Sequence, residues 1–247
     1  MKIAIISDIH GNMEAIEAVM ADIESKGFNK LFVLGDFAMA GPEPKAAIEY
    51  FMQKEFDPNV YMIQGNTDAM IVDYNYDIYD SLKSKAPVMA EALQDDFKQL
   101  GVQEKIFLKN LPIQKEVELD GIKFLLVHGS PRRNNEDILP ETKLEDVEAM
   151  LSDVDAQIIL CGHTHIPCGF QTSTKKTVVN VGSIGRPFTP EPKSCYATIT
   201  ITDGKCLFEH HFVEYDNKKA AEKLKVRNFW GADKLAETLL NPKERHF

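Results

Sequence analysis

The chain has 247 residues, 44% of them hydrophobic, and can therefore bury a large core as one domain. Its formal net charge of −10 at pH 7 argues against non-specific binding of nucleic acid, which requires a basic face. No apolar stretch approaches the roughly 18 residues of a membrane span, and the N-terminal apolar run is too short for a signal peptide. The four cysteines do not indicate a disulfide framework, so we expect a cytoplasmic protein.

Strands and helices alternate in the first third of the sequence. Short apolar runs predict buried strands at residues 2–7, 30–35 and 60–65. After the first of these runs, Asn12 is suited to cap a helix with an apolar face, and Gly27 is suited to end it. A second helix is predicted from Pro44 to Lys54.

The second half of the sequence is rich in predicted strands. Asp-Gly pairs at residues 120–121 and 203–204 each predict a hairpin turn. Two packed sheets with helices outside both faces satisfy the whole pattern. We predict a single domain over residues 1–247, with a mostly helical insertion at residues 69–110, helical from Lys85 to Lys109, and a helical C-terminal tail at residues 216–247.

Seven potential metal ligands follow directly after predicted strands. They are Asp8, His10, Asp36, Asn66, His128, His163 and His165. Because ligands bind beyond the carboxyl ends of strands in open α/β sheets, we expect these side chains at one edge of a sheet. Two carboxylates, four imidazoles and one amide, without a thiolate, suit Mn, Fe, Zn or Ni. Seven donors are too many for one tetrahedral ion but suit two ions with a bridging carboxylate, a site that favours phosphoryl transfer.

The same positions carry five short motifs. They are D-x-H at residues 8–10, G-D at 35–36, G-N at 65–66, V-H-G at 127–129 and G-H-T-H at 162–165. In this order they resemble the calcineurin-like metallophosphoesterase family, and N-V-G-S-I-G-R-P at residues 180–187 resembles the closing strand of its small prokaryotic members. The resemblance implies an α/β fold, a four-layer αββα sandwich of two mixed β-sheets flanked by helices.

The resemblance also implies a role for each ligand. One ion would be held by Asp8, His10, His165 and a shared Asp36, and the other by Asp36, Asn66, His128 and His163. A hydroxide bridging the two ions would attack phosphorus. The expected catalytic residues are therefore Asp36, Asn66 and His128.

One position departs from the family pattern. Many members read G-N-H followed by an acid, whereas this chain has Thr67 in place of the histidine that is thought to protonate the leaving group. Threonine is not a general acid near neutral pH, and such an acid typically contributes about 10²–10⁴-fold. We interpret the change as typical of a subgroup whose substrates have good leaving groups, or in which bound water or a substrate proton replaces the acid.

Four residues are candidates for substrate contact. They are Asn12, Thr67, Arg132 and Arg186, all close to predicted strand ends. An arginine at such a position can hold phosphate through two parallel hydrogen bonds, and simple solvation at the surface is the alternative. For Asn12 the alternative is its role as a helix cap.

Two segments, the insertion and the C-terminal tail, are additional to the predicted two-sheet scaffold. The insertion begins with an acidic, tyrosine-rich stretch that is either a solvated connector or a cap in which Tyr74, Tyr76 or Tyr79 clamps a base. The tail contains the only tryptophan, Trp230, and either packs on the domain or forms a dimer contact. The sequence is therefore compatible with a monomer and with an oligomer.

We predict a phosphoesterase that depends on two divalent metal ions and hydrolyses a small phosphodiester, for which a nucleotide is one candidate. Manganese is the favoured metal, with Fe, Zn or Ni as alternatives. The alternative activities are a phosphomonoesterase and a protein Ser/Thr phosphatase, and an alternative of another class is a non-catalytic interaction module on the same fold. The predicted partner is a small-molecule phosphoester, and we expect neither a membrane nor non-specific nucleic acid.

Overall fold

Two mixed β-sheets of five strands each form the centre of the computed structural model, which describes residues 1–242. The first sheet comprises β1 (Lys2–Ile6), β2 (Lys30–Val33), β3 (Val60–Met62), β9 (Ser194–Thr202) and β10 (Lys205–Val213), in the order β10-β9-β1-β2-β3. The second comprises β4 (Lys115–Leu119), β5 (Ile122–Leu126), β6 (Ile158–Cys161), β7 (Cys168–Gln171) and β8 (Thr177–Asn180), in the order β4-β5-β6-β8-β7. Strands β1, β2 and β3 are parallel, as are β5, β6 and β8, so each set ends at one edge of its sheet.

Helices cover the outer faces of both sheets. Within residues 1–242 they are α1 (Met13–Lys26), α2 (Pro44–Met52), α3 (Asn66–Val72), α4 (Tyr76–Lys85), α5 (Pro87–Gln99), α6 (Val102–Asn110), α7 (Leu144–Met150), α8 (Asn217–Val226) and α9 (Ala232–Leu240). Helix α7 packs on the second sheet through Val147 and Met150, and most of the others share one apolar cluster with the first sheet. None of the helices in the described part of the chain has the length and apolar character that crossing a bilayer requires.

Alternation of side chains along β1 builds two apolar cores at once. Ile3 and Ile5 belong to the cluster between the sheets, together with Phe124 of the second sheet. Ala4 and Ile6 belong to the cluster beneath the helices. Because successive residues of a strand point to opposite faces, a continuous apolar run can serve both cores. The predicted α/β fold, a four-layer αββα sandwich, is confirmed.

The local signals in the sequence fold as expected. The side chain of Asn12 caps α1 by accepting the backbone N–H of Ala15 at 3.2 Å, and Gly27 ends the helix with a left-handed φ of 65°. The turns at residues 120–121 and 203–204 join β4 to β5 and β9 to β10 as antiparallel hairpins, and all four turn residues have positive φ. Helix α2 ends at Met52, slightly before the predicted Lys54.

The insertion is also helical before Lys85, since α3 extends to Val72 and, after the non-helical residues 73–75, α4 contains the rest of the tyrosine-rich stretch. Helix α4 begins at Tyr76 because the side chain of Asn75 accepts the N–H groups of Asp77 and Ile78, a capping signal that the sequence analysis missed. Helix α4 ends at Lys85 and α5 begins at Pro87, because Ala86 precedes a proline and such a residue is disfavoured in the helical conformation. Helices α8 and α9 form the described part of the tail, residues 216–242. The remaining residues of the predicted helical tail, 243–247, lie outside the described part of the chain.

Candidate metal centre

The loops after the central strands carry an unusual concentration of left-handed residues. Asp8, His10, Asp36, His163 and His165 all have φ between 46° and 67°. Such a conformation is uncommon for residues other than glycine, and strained backbone of this kind clusters at functional sites. The five residues are all among the ligands predicted from the sequence.

A first group of donor atoms surrounds His10 and His165. Their Nε2 atoms are 3.1 Å apart, and the Nε2 of His165 lies 3.2 Å from Oδ1 of Asp8. The Nε2 of His10 lies 3.8 Å from Oδ2 of Asp36. All four side chains are buried, so the group is shielded from bulk water.

A second group surrounds His128. Its Nε2 lies 3.3 Å from Oδ2 of Asp36, 3.0 Å from Oδ1 of Asn66 and 3.8 Å from Oδ1 of Asp8. Asp8 and Asp36 thus adjoin both groups. The structure brings six of the seven predicted ligands together.

The seventh, His163, lies beside this centre. Its Nε2 faces Oδ1 of Asp137 at 3.4 Å, and its ring packs edge-on against that of His128 with the centroids 5.3 Å apart. Its backbone N–H nevertheless donates to Oδ2 of Asp8 at 3.0 Å. The role of the His163 side chain as a ligand stays a prediction.

Three of the histidines are oriented by backbone carbonyls. The Nδ1–H groups of His10, His128 and His165 donate to the carbonyls of Met39, Leu34 and Arg186 at 2.8, 2.6 and 2.6 Å. With the proton on Nδ1, each Nε2 faces the centre, and its lone pair can coordinate a cation when the ring is neutral. Metal-binding histidines in proteins are held in this way.

The donor atoms fit divalent cations. Two imidazole lone pairs 3.1 Å apart, on His10 and His165, repel each other unless a cation lies near both. Oδ1 of Asp8 is fully buried without a hydrogen-bond partner, and Asp8 belongs to both of the donor groups within residues 1–242 that are compact enough to hold a metal ion. A buried, unpartnered carboxylate oxygen is costly unless a cation compensates it.

The electrostatics of the site favour the ionisation states that metal ligands need at Asp8, Asp36 and His10, but not at His128. Burial opposes ionisation of Asp8 and Asp36, but the imidazoles of His165 and His128 outweigh it for Asp8 and hold its pKa below its usual range, and His128 lowers the pKa of Asp36 to about 2. Burial lowers the pKa of His10 to about 3, so that ring is neutral at pH 7. For His128, burial is outweighed by the two carboxylates, which raise its pKa to about 10, and a bound cation would compete with that proton.

The carboxylate of Asp68, for which no functional role was predicted from the sequence, holds the backbone at Asp36. Asp68 is fully buried and accepts the backbone N–H groups of Asp36, Phe37 and Gly65 at 2.8 to 2.9 Å. Burial, followed by the charge of Asp36, raises the pKa of Asp68 to about 7. The sequence signal for this role is the acid that follows Thr67, at the position where the family pattern G-N-H is also followed by an acid.

A cavity of about 350 Å³ opens beside the two donor groups, and we call it the central cavity. Its lining combines candidate ligands with apolar side chains, among them Met70, Leu82, Ala86, Met89 and Phe188. Thr67 also lines it, with its hydroxyl donated to the carbonyl of Ala38 at 3.0 Å and its N–H to Oδ1 of Asp36 at 2.9 Å. The centre is therefore accessible from a pocket that is apolar on part of its surface.

Arg186 lines the central cavity as a buried cation. The residue is 5% exposed, its Nε has no hydrogen-bond partner, and its Nη1 makes a long hydrogen bond to the sulfur of Met89, at 3.9 Å. Burial lowers the pKa of the guanidinium to about 10, so it keeps its charge at neutral pH. An unsatisfied buried guanidinium is suited to receive an anionic ligand.

The other two predicted substrate contacts are engaged elsewhere. Asn12 caps α1 and donates its amide to the carbonyl of Gly185 at 2.8 Å. Arg132 forms hydrogen bonds from Nε and Nη2 to Glu136 at 3.1 and 2.6 Å and lines a separate cavity. The structure thus brings Thr67 and Arg186, but not Asn12 and Arg132, to the central cavity.

The three tyrosines of the insertion do not line the central cavity either. Tyr74 stacks on Phe97 with ring centroids 4.3 Å apart, and the hydroxyl of Tyr79 donates to Glu91 at 2.7 Å. Tyr76 is 74% exposed. The insertion instead contributes apolar side chains to the cavity.

Comparisons with known proteins identify the family of the chain. A family model described as the calcineurin-like phosphoesterase superfamily domain matches residues 1–204. An uncharacterized protein of Methanocaldococcus jannaschii is 31% identical over 249 residues, covering 92% of each chain.

Solved structures extend the comparison to the fold. A metallophosphoesterase from Sphaerobacter thermophilus has a TM-score of 0.78 and 25% identity, with 97% of this chain and 98% of that chain covered. A hypothetical protein from Pyrococcus horikoshii OT3 has a TM-score of 0.88 and 24% identity, with 99% of both chains covered, and shows the fold alone. The chain therefore belongs to the calcineurin-like phosphoesterase superfamily, as its motifs indicated.

Proposed function

We propose that this chain hydrolyses phosphodiesters of small molecules and uses two divalent metal ions to do so. Membership of the superfamily implies a metal-dependent phosphoester hydrolase, and the finer proposal concerns the reaction and the substrate. The observation that supports it best is the convergence of two buried donor groups on one cavity that also contains an unpartnered arginine. We propose further that residues 1–247 act as one metallophosphoesterase domain.

The proposed ligand sets are those that the five motifs imply. One ion is held by Asp8, His10, His165 and Asp36, and the other by Asp36, Asn66, His128 and His163. When bound, two such cations, Mn²⁺ being favoured over Fe, Zn or Ni, supply positive charge to the phosphoryl oxygens and a nucleophile derived from water at neutral pH. Asp36 is the most important single side chain because it serves both sets.

Arg186 contacts the phosphoester in this proposal, whereas Thr67 positions Asp36. In this proposal the unpartnered Nε–H of Arg186 donates to a non-bridging phosphate oxygen, which exchanges a buried orphan donor for a charge-assisted hydrogen bond. Thr67 donates its backbone N–H to Asp36 and its hydroxyl to a backbone carbonyl, so it holds its neighbour in place rather than supplying a proton.

A diester suits this cavity better than a monoester. The diester is a monoanion, and with a nucleotide or aryl leaving group its hydrolysis depends little on a general acid, which Thr67 does not provide. The apolar lining offers a surface to the second ester group, as in most small-molecule sites. The proposed partner is a small-molecule phosphoester.

The test is hydrolysis of bis-p-nitrophenyl phosphate and p-nitrophenyl phosphate by metal-stripped protein, with and without added Mn²⁺. We expect turnover that requires the metal and a higher kcat/KM for the diester. Faster turnover of the monoester would support the phosphomonoesterase alternative. Failure to bind metal at all would contradict the proposal and favour the non-catalytic module.

A further inference from the structure

A buried ion pair connects the insertion to the C-terminal tail directly behind the metal centre. Arg227, at the end of α8, donates hydrogen bonds to the carboxylates of Asp95 and Asp96 on α5 and to the carbonyl of Gly41. The side chain of Arg227 is 5% exposed and that of Asp96 is fully buried. A pair this well shielded is costly to break, because removal of one partner leaves an uncompensated buried charge.

The ion pair holds a strained loop. The second oxygen of Asp96 accepts the backbone N–H of Met39 at 2.6 Å. Met39 and Ala40 have φ of 80° and 63°, which costs non-glycine residues about 1–3 kcal/mol each unless the surroundings impose it. Asp96 therefore fixes the first residue of the left-handed pair, and Arg227 fixes Gly41, which follows the second.

The same loop orients a proposed metal ligand. The carbonyl of Met39 accepts the Nδ1–H of His10 at 2.8 Å, and this bond turns the Nε2 of His10 toward His165 and Asp36. The loop also packs closely on His10, since a Cβ atom added at Gly41 would lie 1.4 Å from the His10 carbonyl oxygen. A shift of the loop therefore displaces the acceptor that sets the orientation of the His10 ring.

We propose that the Arg227–Asp96 ion pair is a positioning element for His10, acting through the strained peptide of Met39. The insertion and the tail, which are additional to the two-sheet scaffold, thereby act together on one metal ligand. Neither Asp96 nor Arg227 lines the central cavity, so their effect passes through the loop. The consequence for metal affinity rests on the proposed metal role of His10, whereas the orientation of the ring does not.

The decisive variant is the double substitution Asp96→Leu/Arg227→Met. It removes the charges of Arg227 and the fully buried Asp96 together, and apolar replacement of such a pair is often neutral for stability, whereas either single change leaves a buried charge unpaired. Asp95, the second partner of Arg227, is 23% exposed and remains in contact with water. It also leaves the N–H of Met39 without its acceptor. The control is Lys83→Met. Lys83 lies on α4 and its Nζ is 3.2 Å from Oε1 of Glu91, which is on α5 like Asp96, so the substitution removes a cation paired with α5 away from the loop.

Calorimetric titration of metal-free protein with Mn²⁺ gives the first measurement. We expect one of two binding steps to weaken by about 10-fold in the double variant, at the low end for loss of a partner that orients a metal ligand, with the other step close to native and the circular dichroism spectrum that of a folded protein. Lys83→Met should leave both steps unchanged. Unchanged binding in the double variant, or equal weakening of both steps, would overturn the proposal.

The ¹⁵N chemical shift of His10 Nδ1 in metal-free protein gives the second measurement. We expect the value of a protonated Nδ1 in the native protein and a shift toward the other tautomer in the double variant. If the native protein binds no Mn²⁺, the proposed function fails, and this shift alone decides whether the ion pair positions His10. If the double variant does not fold, Arg227→Lys is measured in the same way, and native values for both readouts in that variant would count against the proposal.

Discussion

Replacement of Asp68 by asparagine should loosen the backbone that carries Asp36. The buried carboxylate of Asp68 accepts three backbone N–H groups, from Asp36, Phe37 and Gly65. Asparagine has nearly the same shape but only one acceptor oxygen, so at least one N–H then faces an amide donor. An unsatisfied buried donor costs roughly 1–3 kcal/mol, and loss of the charge weakens the remaining bonds.

Removal of the charge acts in the opposite direction. Burial and the charge of Asp36 both penalise the ionised carboxylate of Asp68 and raise its pKa to about 7, and the neutral asparagine removes both penalties. We therefore expect a net decrease of about 1 kcal/mol in the free energy of unfolding of the metal-free protein, at the low end of the cost of an unsatisfied buried donor.

Urea unfolding at pH 7, followed by circular dichroism, measures this decrease. Asp73→Asn is the control, because Asp73 is an exposed acid at the end of the same helix α3 and should change stability by less than about 0.5 kcal/mol. A change in Asp68→Asn no larger than that of the control would refute the assignment of Asp68 as the residue that holds this backbone.

Three further predictions concern the ligands, the substrate and acid stability. Asp36→Asn should weaken Mn²⁺ binding by more than about 100-fold, since loss of an outer partner alone typically costs 10–100-fold; native metal occupancy in this variant, measured by elemental analysis, would contradict a shared ligand. Arg186→Met should lower kcat/KM for the diester by about 10–100-fold, the value of one or two hydrogen bonds to a charged group, while Arg132→Met should change it less than about twofold; equal effects of the two substitutions would exclude a specific contact by Arg186. Hydrogen bonds from Arg132, aided by those from Ser130 and Arg133, lower the pKa of Glu136 to about 2 against the opposing effect of burial. Its contribution to stability is therefore present above the usual glutamate pKa near 4.5 and is lost as the pH falls toward 2. Glu136→Gln should cost on the order of 1–2 kcal/mol at pH 7, discounted for the half-exposed Arg132, and less than about half of that at pH 3; an equal cost at both pH values, from urea titrations, would contradict this.

The candidate metal ligands could be located from the sequence because each follows a strand that is itself a local pattern. Asp8 and Asp36 come directly after apolar runs bounded by polar residues, and parallel strands place such positions at one edge. The hairpin turns and the Asn12 cap were predictable for the same reason, since the signal and the structure lie within a few residues. The chemistry of the donor set then limited the metals and the reaction class.

The environment of each side chain depended on contacts between segments far apart in the sequence. Arg132 and Arg186 both follow strand ends, yet Arg132 lies within reach of Glu136, whereas Arg186 is buried in the central cavity without an equivalent acid. No local pattern distinguishes these two outcomes, because burial is a property of the packed chain.

The same limit applies to the residues behind the metal centre. Arg227 meets Asp96 across 131 positions of sequence, and the result of that contact is the orientation of His10. The sequence by itself determined which side chains can ligate, because local strand patterns place them. Only the tertiary structure decided how those side chains are held, because a buried ion pair and a strained peptide form only when distant segments pack together.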